Sequence, residues 1–261
     1  MMLALDIGNS NVVIGLHDGN AWKHVWRIPT ITDDDVNFYK LQIANHWVET
    51  NLPAEVVRQV MISSVVPLLT NPIIAFCADL FTCPVQLAGP AIYREIELEV
   101  LRPHEIGSDL VANAYAASRI FAGKDALIVD FGTALTFVAV GRDKKLHGVS
   151  IAPGLRTAIK ALNTETAKLP EVPLVFPDTV TGKDTVHAIQ SGVLIGYEGL
   201  IKHLIARYRA ELNEALIVIA TGGLVGRVEA LHKYFDHILP ELTLDGLRLM
   251  ASHIGQRATD A

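Results

Sequence analysis

Short apolar runs, broken by glycine, asparagine and aspartate where strands would end, alternate along this chain with stretches whose apolar residues recur at helical spacing. Residues 3–16 and 21–28 predict successive strands of an antiparallel meander around the turn Asp18-Gly19-Asn20. Phe38, Leu41, Ile43, Ala44, Trp47 and Val48 predict a helix, with Thr32 or Asp33 as its cap and Asp34 and Asp35 at its favourable N-terminal end. A strand over 57–66, a helix over 68–81 with Pro72 in its first turns and a short strand over 84–87 follow, then a polar stretch, 91–105, read as loop or irregular strand. Gly107-Ser108-Asp109-Leu110 opens a helix over 111–121.

The second half repeats this order. The apolar run 126–129 and residues 136–140 and 145–151 predict three strands, and a helix begins after Pro153-Gly154 and ends at Lys168-Leu169-Pro170. A Pro-rich connection leads to a long helix over 186–212, in which Gly192, Gly196 and Gly199 suit close packing against another element or a partner chain. A buried strand over 216–220 runs into Thr221-Gly222-Gly223 and a further helix, and an extended piece and a terminal helix from 242 finish the chain. Alternating strands and helices place it in the α/β class, as two halves divided near 115 and 116.

Candidate chemistry sits where strands stop. The order strand, Asp, any residue, Gly, polar or hydroxyl residues, strand occurs twice, as Asp6-Ile7-Gly8-Asn9-Ser10-Asn11 and as Asp130-Phe131-Gly132-Thr133 with Thr136 beyond. Backbone N–H groups in such turns, beside hydroxyls, can hold phosphate oxygens, and the carboxylate can hold a cation that does the same. Taken singly, each turn also reads as a hairpin with a polar tip, Asp109 as a helix cap and the double glycine as a tight turn. Ser63 and Ser64 close a strand, and a turn hydroxyl is role enough for each.

Composition narrows the partners. The chain has 261 residues, 50% of them hydrophobic, and a formal net charge of -6, which gives a packed core and no basic surface for nucleic acid. Cys77 and Cys83 show no zinc spacing and read as reduced and structural. No run of about 18 apolar residues and no leader pattern occurs, so the expectation is a cytoplasmic protein that binds no membrane.

The ordered set DIGNSN, SSVVP, EIGSD, DFGTALT, IAPG and TGG resembles the type III pantothenate kinases, within the acetate kinase, sugar kinase, Hsp70 and actin superfamily. The resemblance implies two tandem ribonuclease H-like, actin-like ATPase domains (1–115 and 116–261) with mixed sheets and an interdomain cleft. It implies transfer of phosphate from ATP to pantothenate, the first step of coenzyme A synthesis. Asp6 would hold Mg²⁺ while Gly8, Asn9, Ser10 and Asn11 cradle the phosphates; Gly132, Thr133 and Thr136 would form the second clamp. Asp130 would serve a monovalent cation, K⁺ or NH₄⁺, and Gly222 and Gly223 would admit the adenosine. Asp109 would be the general base, Gly107 would line the pantothenate site, and Thr185 would be contributed across a homodimer interface.

The chain departs from the family pattern at four positions. Leu135 stands in a threonine-rich loop, and Val138 and Val149 stand where an aspartate and a second glycine are common, whereas Ser10 keeps the hydroxyl of the usual threonine. Leu110 replaces the arginine that helps bind pantothenate, which leaves Arg156 or Lys160 as candidate replacement cations. Two other readings follow: a non-catalytic paralogue of the Bvg accessory factor type, and a kinase of this fold with another small hydroxylated substrate.

Overall fold

The computed structural model describes residues 1–31, 36–166 and 168–260, the side chains of 256–260 excepted. In chain order the elements are β1 (Met2–Ile7), β2 (Asn11–His17), β3 (Trp22–Pro29), α1 (Val36–Glu49), β4 (Gln59–Ser64), α2 (Pro67–Phe81), β5 (Val85–Leu87), α3 (Pro90–Glu95) and α4 (Ser108–Ile120). Then come β6 (Ala126–Phe131), β7 (Ala134–Val140), β8 (Leu146–Pro153), α5 (Leu155–Thr164), α6 (Thr185–Gln190), α7 (Gly196–Glu211), β9 (Ile217–Thr221), β10 (His237–Ile238) and α8 (Leu242–Asp260). The proposed caps Thr32 and Asp33, with Asp34 and Asp35, lie outside the described residues.

Two five-stranded sheets share one topology, β3-β2-β1-β4-β5 and β8-β7-β6-β9-β10, with the first three strands antiparallel and the rest parallel. The half-chain repeat in the sequence is thus a repeat of fold. In the first sheet, Leu3, Leu5 and Ile7 face Tyr39, Ile43 and Trp47 of α1 and Leu69, Ile73 and Phe81 of α2. Because side chains alternate along a strand, Ala4 and Asp6 turn to the opposite face, which α4 and α8 cover. Both faces being covered explains why β1 and β4 read as nearly continuous apolar runs.

The contact pattern splits the chain into one unit of Met1–Ile120 with Leu242–Ala261 and another of Phe121–Glu241. The sequence division gave residues 242–261 to the second half; the structure returns them to the first. The physical reason lies in α8, where Leu242, Leu244, Leu247 and Met250 are buried and Gly246 lies so close to Ala112 of α4 that a Cβ would overlap its backbone. That contact explains the alanine-rich face of α4.

Other elements differ from expectation in instructive ways. The stretch read as loop over 91–105 begins with α3, because Gly89 is extended and Pro90 supplies a preset first turn. The helix expected after Gly223 is instead two 3-10 turns, Val225–Arg227 and Glu229–Tyr234, closed by bonds three residues apart such as Leu231 N–H to Val228 O at 2.8 Å. The helix read over 186–212 starts at Thr185 and carries a π-helical turn, Ser191–Ile195, between α6 and α7. A Cβ on Gly192, Gly196 or Gly199 would meet nothing within 4 Å, so close packing inside the chain is not their use. The helix read as ending at Lys168-Leu169-Pro170 already ends at Thr164. Cys77 and Cys83 are free thiols, and burial, with Cys83 a smaller cause, pushes the Cys77 thiol up to about 12, where it stays protonated.

Candidate active site

In the first unit, the polar residues gather at the carboxyl ends of β1 and β4. Asp6 stands in register with Ser63, and Ile7 with Ser64. The Gly8 turn is closed by Gly8 N–H to Asn11 O at 3.0 Å, and Thr30 ties it down by donating its hydroxyl to Gly8 O at 2.8 Å. Asn9, Ser10 and Asn11 at its tip are exposed, as a phosphate-binding loop requires.

Ser63 has a role that the sequence did not reveal. Its buried hydroxyl lies 2.9 Å from the Ser108 hydroxyl, which also accepts the Ser64 N–H at 3.1 Å. These bonds pin the first turn of α4 to the end of β4, on the face of the sheet toward which Asp6 points. Asp109 is the next residue, half-buried, with its carboxylate accepting the Leu110 N–H at 2.9 Å. Burial pushes the Asp109 carboxyl above the usual carboxylate range, against the lowering effect of that backbone bond. A carboxyl so shifted is a better proton acceptor for an alcohol than a fully solvated one. The same carboxylate folds over Gly107, where a Cβ would collide with it, so the glycine two residues earlier has a steric cause. Leu110 is buried, at 8% exposure.

The second unit has the equivalent arrangement. Asp130 is in register with Thr136 on β7 and Thr221 on β9, as Asp6 is with Val13 and Ser63. Gly222, at φ +97°, is packed so tightly beside the Asp130 carboxylate and the Phe131 backbone that no side chain fits there. Gly132 N–H bonds Ala134 O at 3.1 Å, and Gly154 N–H bonds Thr133 O at 2.9 Å. A Cβ on Gly154 would strike the Gly132 and Thr133 carbonyls, and Thr157 donates its hydroxyl to Thr133 O at 2.7 Å. The IAPG string therefore serves to seat α5 against the second turn. Arg156 and Lys160 are exposed on that helix. Val138 and Val149 are cross-strand partners, so two of the departures form one apolar pair. Leu135 is buried in the second core.

The donor set fits cation-assisted phosphate binding. Among the described residues no three carboxylate, imidazole or thiolate groups converge to enclose a metal. A divalent ion here would be held by one carboxylate, water and phosphate oxygens, as is usual for magnesium. The buried Thr136 hydroxyl has no hydrogen-bond partner among the described residues, and a ligand oxygen or cation beside Asp130 would satisfy it. Thr185, in the first turn of α6, is exposed, and the cap of that helix is Asp184, which accepts the His187 N–H at 2.8 Å.

Comparison with known proteins agrees with this geometry. A model of the type III pantothenate kinase family matches residues 2–207. Type III pantothenate kinases from an Exiguobacterium species (strain AT1b) and from Geobacillus kaustophilus are each 36% identical, over 250 and 253 residues, covering 96% of this chain and 98% and 96% of theirs. MreB5 of Spiroplasma citri, solved with ADP bound, is similar in fold alone, with a TM-score of 0.55 at 10% identity over 100% of this chain and 98% of that one. With the family model spanning both phosphate turns and the Asp109 helix, the chain belongs to the type III pantothenate kinase family.

Proposed function

We propose that the chain transfers the γ-phosphoryl group of ATP to the primary hydroxyl of pantothenate, with Asp109 taking the hydroxyl proton. The observation that carries this reading is the seat of Asp109: a half-buried carboxyl with a raised proton affinity, next to Ser108, which Ser63 holds, and folded over Gly107. Phosphoryl transfer needs positioning and charge stabilisation far more than covalent participation by the protein. The first unit would supply Asp6 for Mg²⁺ and the Gly8, Asn9, Ser10 and Asn11 turn for phosphate oxygens. The second would supply Gly132, Thr133 and Thr136 as a clamp, Asp130 for K⁺ or NH₄⁺, and the Gly222-Gly223 turn for the adenosine. When bound, the cations would neutralise phosphate charge.

Gly107 and, from a second copy, Thr185 would complete the acceptor site of a homodimer. Exposure of Thr185 and the open surfaces beside Gly192, Gly196 and Gly199 support that arrangement. No helix among the described residues is long and apolar enough to cross a membrane. A coupled assay of ADP release with K⁺ and Mg²⁺ tests the reaction. Release should depend on pantothenate and fall by roughly 10² to 10⁴ in Asp109→Asn. Pantothenate-independent release, or none, in a protein that binds ATP would overturn it in favour of another acceptor or a non-catalytic role.

A further inference from the structure

If pantothenate is the acceptor, as the reading above holds, then Leu110 leaves its polar groups short of the partner that an arginine would give. In the first unit, α3 carries a candidate replacement. Ala88 N–H continues the sheet ladder to Ile62 O at 2.7 Å, and α3 starts two residues later, with Tyr93 N–H closing its first turn on Gly89 O at 2.9 Å. One and two residues beyond Ile62, Ser63 and Ser64 hold Ser108 and the first turn of α4. The end of β4 therefore anchors both the start of α3, which carries Tyr93, and the start of α4, which carries Asp109.

Tyr93 is 5% exposed. Burial and then the nearby Asp109 charge hold its phenol well above the ordinary range, so it remains a neutral donor. Tyr39, Tyr197, Tyr208 and Tyr234 each bond a protein group through the hydroxyl. Among the described residues the hydroxyls of Tyr93 and Tyr115 have no such partner; that of Tyr115 is enclosed on α4, whereas that of Tyr93 keeps an open side. A tyrosine sunk into a core normally finds one, and a phenol left open beside the proposed base is placed for a ligand.

We propose that the Tyr93 hydroxyl donates a hydrogen bond to the bound acceptor, as the polar contact this chain offers in place of the arginine that Leu110 replaces. The contact is uncharged and directional, so it would make less difference to affinity than an arginine would and would select for an acceptor oxygen at one position.

Tyr93→Phe keeps the ring and removes the donor. It should raise the KM for pantothenate about tenfold, leaving the KM for ATP and the turnover at saturation within about twofold of the parent. Adding Leu110→Arg to Tyr93→Phe should recover most of that loss, which a purely structural defect would not allow. The pair Tyr93→Gln and Tyr93→Met, similar in volume, repeats the comparison should Tyr93→Phe fold poorly: the glutamine variant, which keeps a donor, should have the lower KM. Unchanged KM in Tyr93→Phe, or equal KM in the glutamine and methionine variants, overturns the assignment. Its failure is separable from failure of the parent reading, since an unmodified enzyme that does not phosphorylate pantothenate at all refutes the latter without reference to Tyr93.

Discussion

Two neighbouring residues, Gly107 and Asp109, show how local sterics can set the chemistry of a site. Ionising Asp109 in its half-buried seat is unfavourable, so the native state keeps the proton to higher pH than the unfolded chain does. Between the ordinary carboxylate pKa and the raised native one, the native state binds more protons, and stability falls as pH rises. Asp109→Asn does not titrate. Its stability advantage over the parent should therefore open as pH climbs above the usual carboxylate range and level off above the native pKa. Urea midpoints from pH 4 to pH 8 measure this, and a gap that stays constant with pH would show that the carboxyl is not penalised. For Gly107→Ala, the added methyl overlaps the end of the Asp109 side chain, which can swing aside at little cost in stability, and touches Val65 at an ordinary packing distance. The base would be displaced by that movement. Turnover should fall by roughly tenfold to a hundredfold while the melting temperature changes little, because misplacing a reacting group by about 1 Å has effects of that size. Equal losses of stability and turnover would mean that the backbone, rather than the carboxylate, had moved.

At the level of elements, the sequence was legible wherever one strand met one turn. Both Asp-x-Gly turns, the helix behind Asp109 and the glycine after β9 could be placed from residue order alone, because hydrophobic period and turn chemistry are local signals. What escaped was non-local. Ser63 looked like a turn hydroxyl until its partner Ser108, 45 residues away, was brought beside it. Ser63 and Thr221, each fully buried at the corresponding place of the two sheets, the neighbour of Asp6 and of Asp130, became equivalent only through strand register. Helix α3 is too short for a periodic signal. The 3-10 turns after Gly223 share their composition with a helix and differ in hydrogen-bond spacing, which composition does not encode. Gly246 was another silent position, since its meaning lies in Ala112 of a distant helix. Gly246→Ala should overpack the α4 and α8 contact and destabilise the protein by about 1–3 kcal/mol, measured by urea unfolding. Ala112→Gly in the same chain would reduce crowding only in part, because the clash is with backbone atoms. A fully stable Gly246→Ala would show that the two helices can part without loss.

At the scale of the whole molecule, the return of the last helix has consequences for folding and assembly. The unit Phe121–Glu241 is continuous in sequence, whereas the other needs both ends of the chain. α8 buries Leu242, Leu244, Leu247 and Met250, all at 1% exposure or less. Full burial contributes roughly 1.5–3 kcal/mol for each such side chain, so four of them amount to roughly 6–12 kcal/mol as an upper bound. Typical domain stability is about 5–15 kcal/mol, so removing the helix should leave the first unit unfolded. A chain ending at Glu241 should accordingly lose the protease resistance of residues 1–120 and keep that of 121–241. A fragment of 1–120 should be unstructured by circular dichroism and gain helix and sheet when residues 242–261 are joined to it through a flexible linker. If the chain ending at Glu241 instead melts as cooperatively as the parent, α8 is an accessory cover and the first unit is complete without it. The same logic bears on the proposed homodimer: because Asp109 sits on α4, directly beneath α8, loss of the terminal helix should abolish pantothenate turnover even if the second unit, with Thr185 and the Gly192 surface, still self-associates. Sedimentation of the truncated chain alongside its activity separates the two, and an active monomer would refute the need for Thr185 from a second copy.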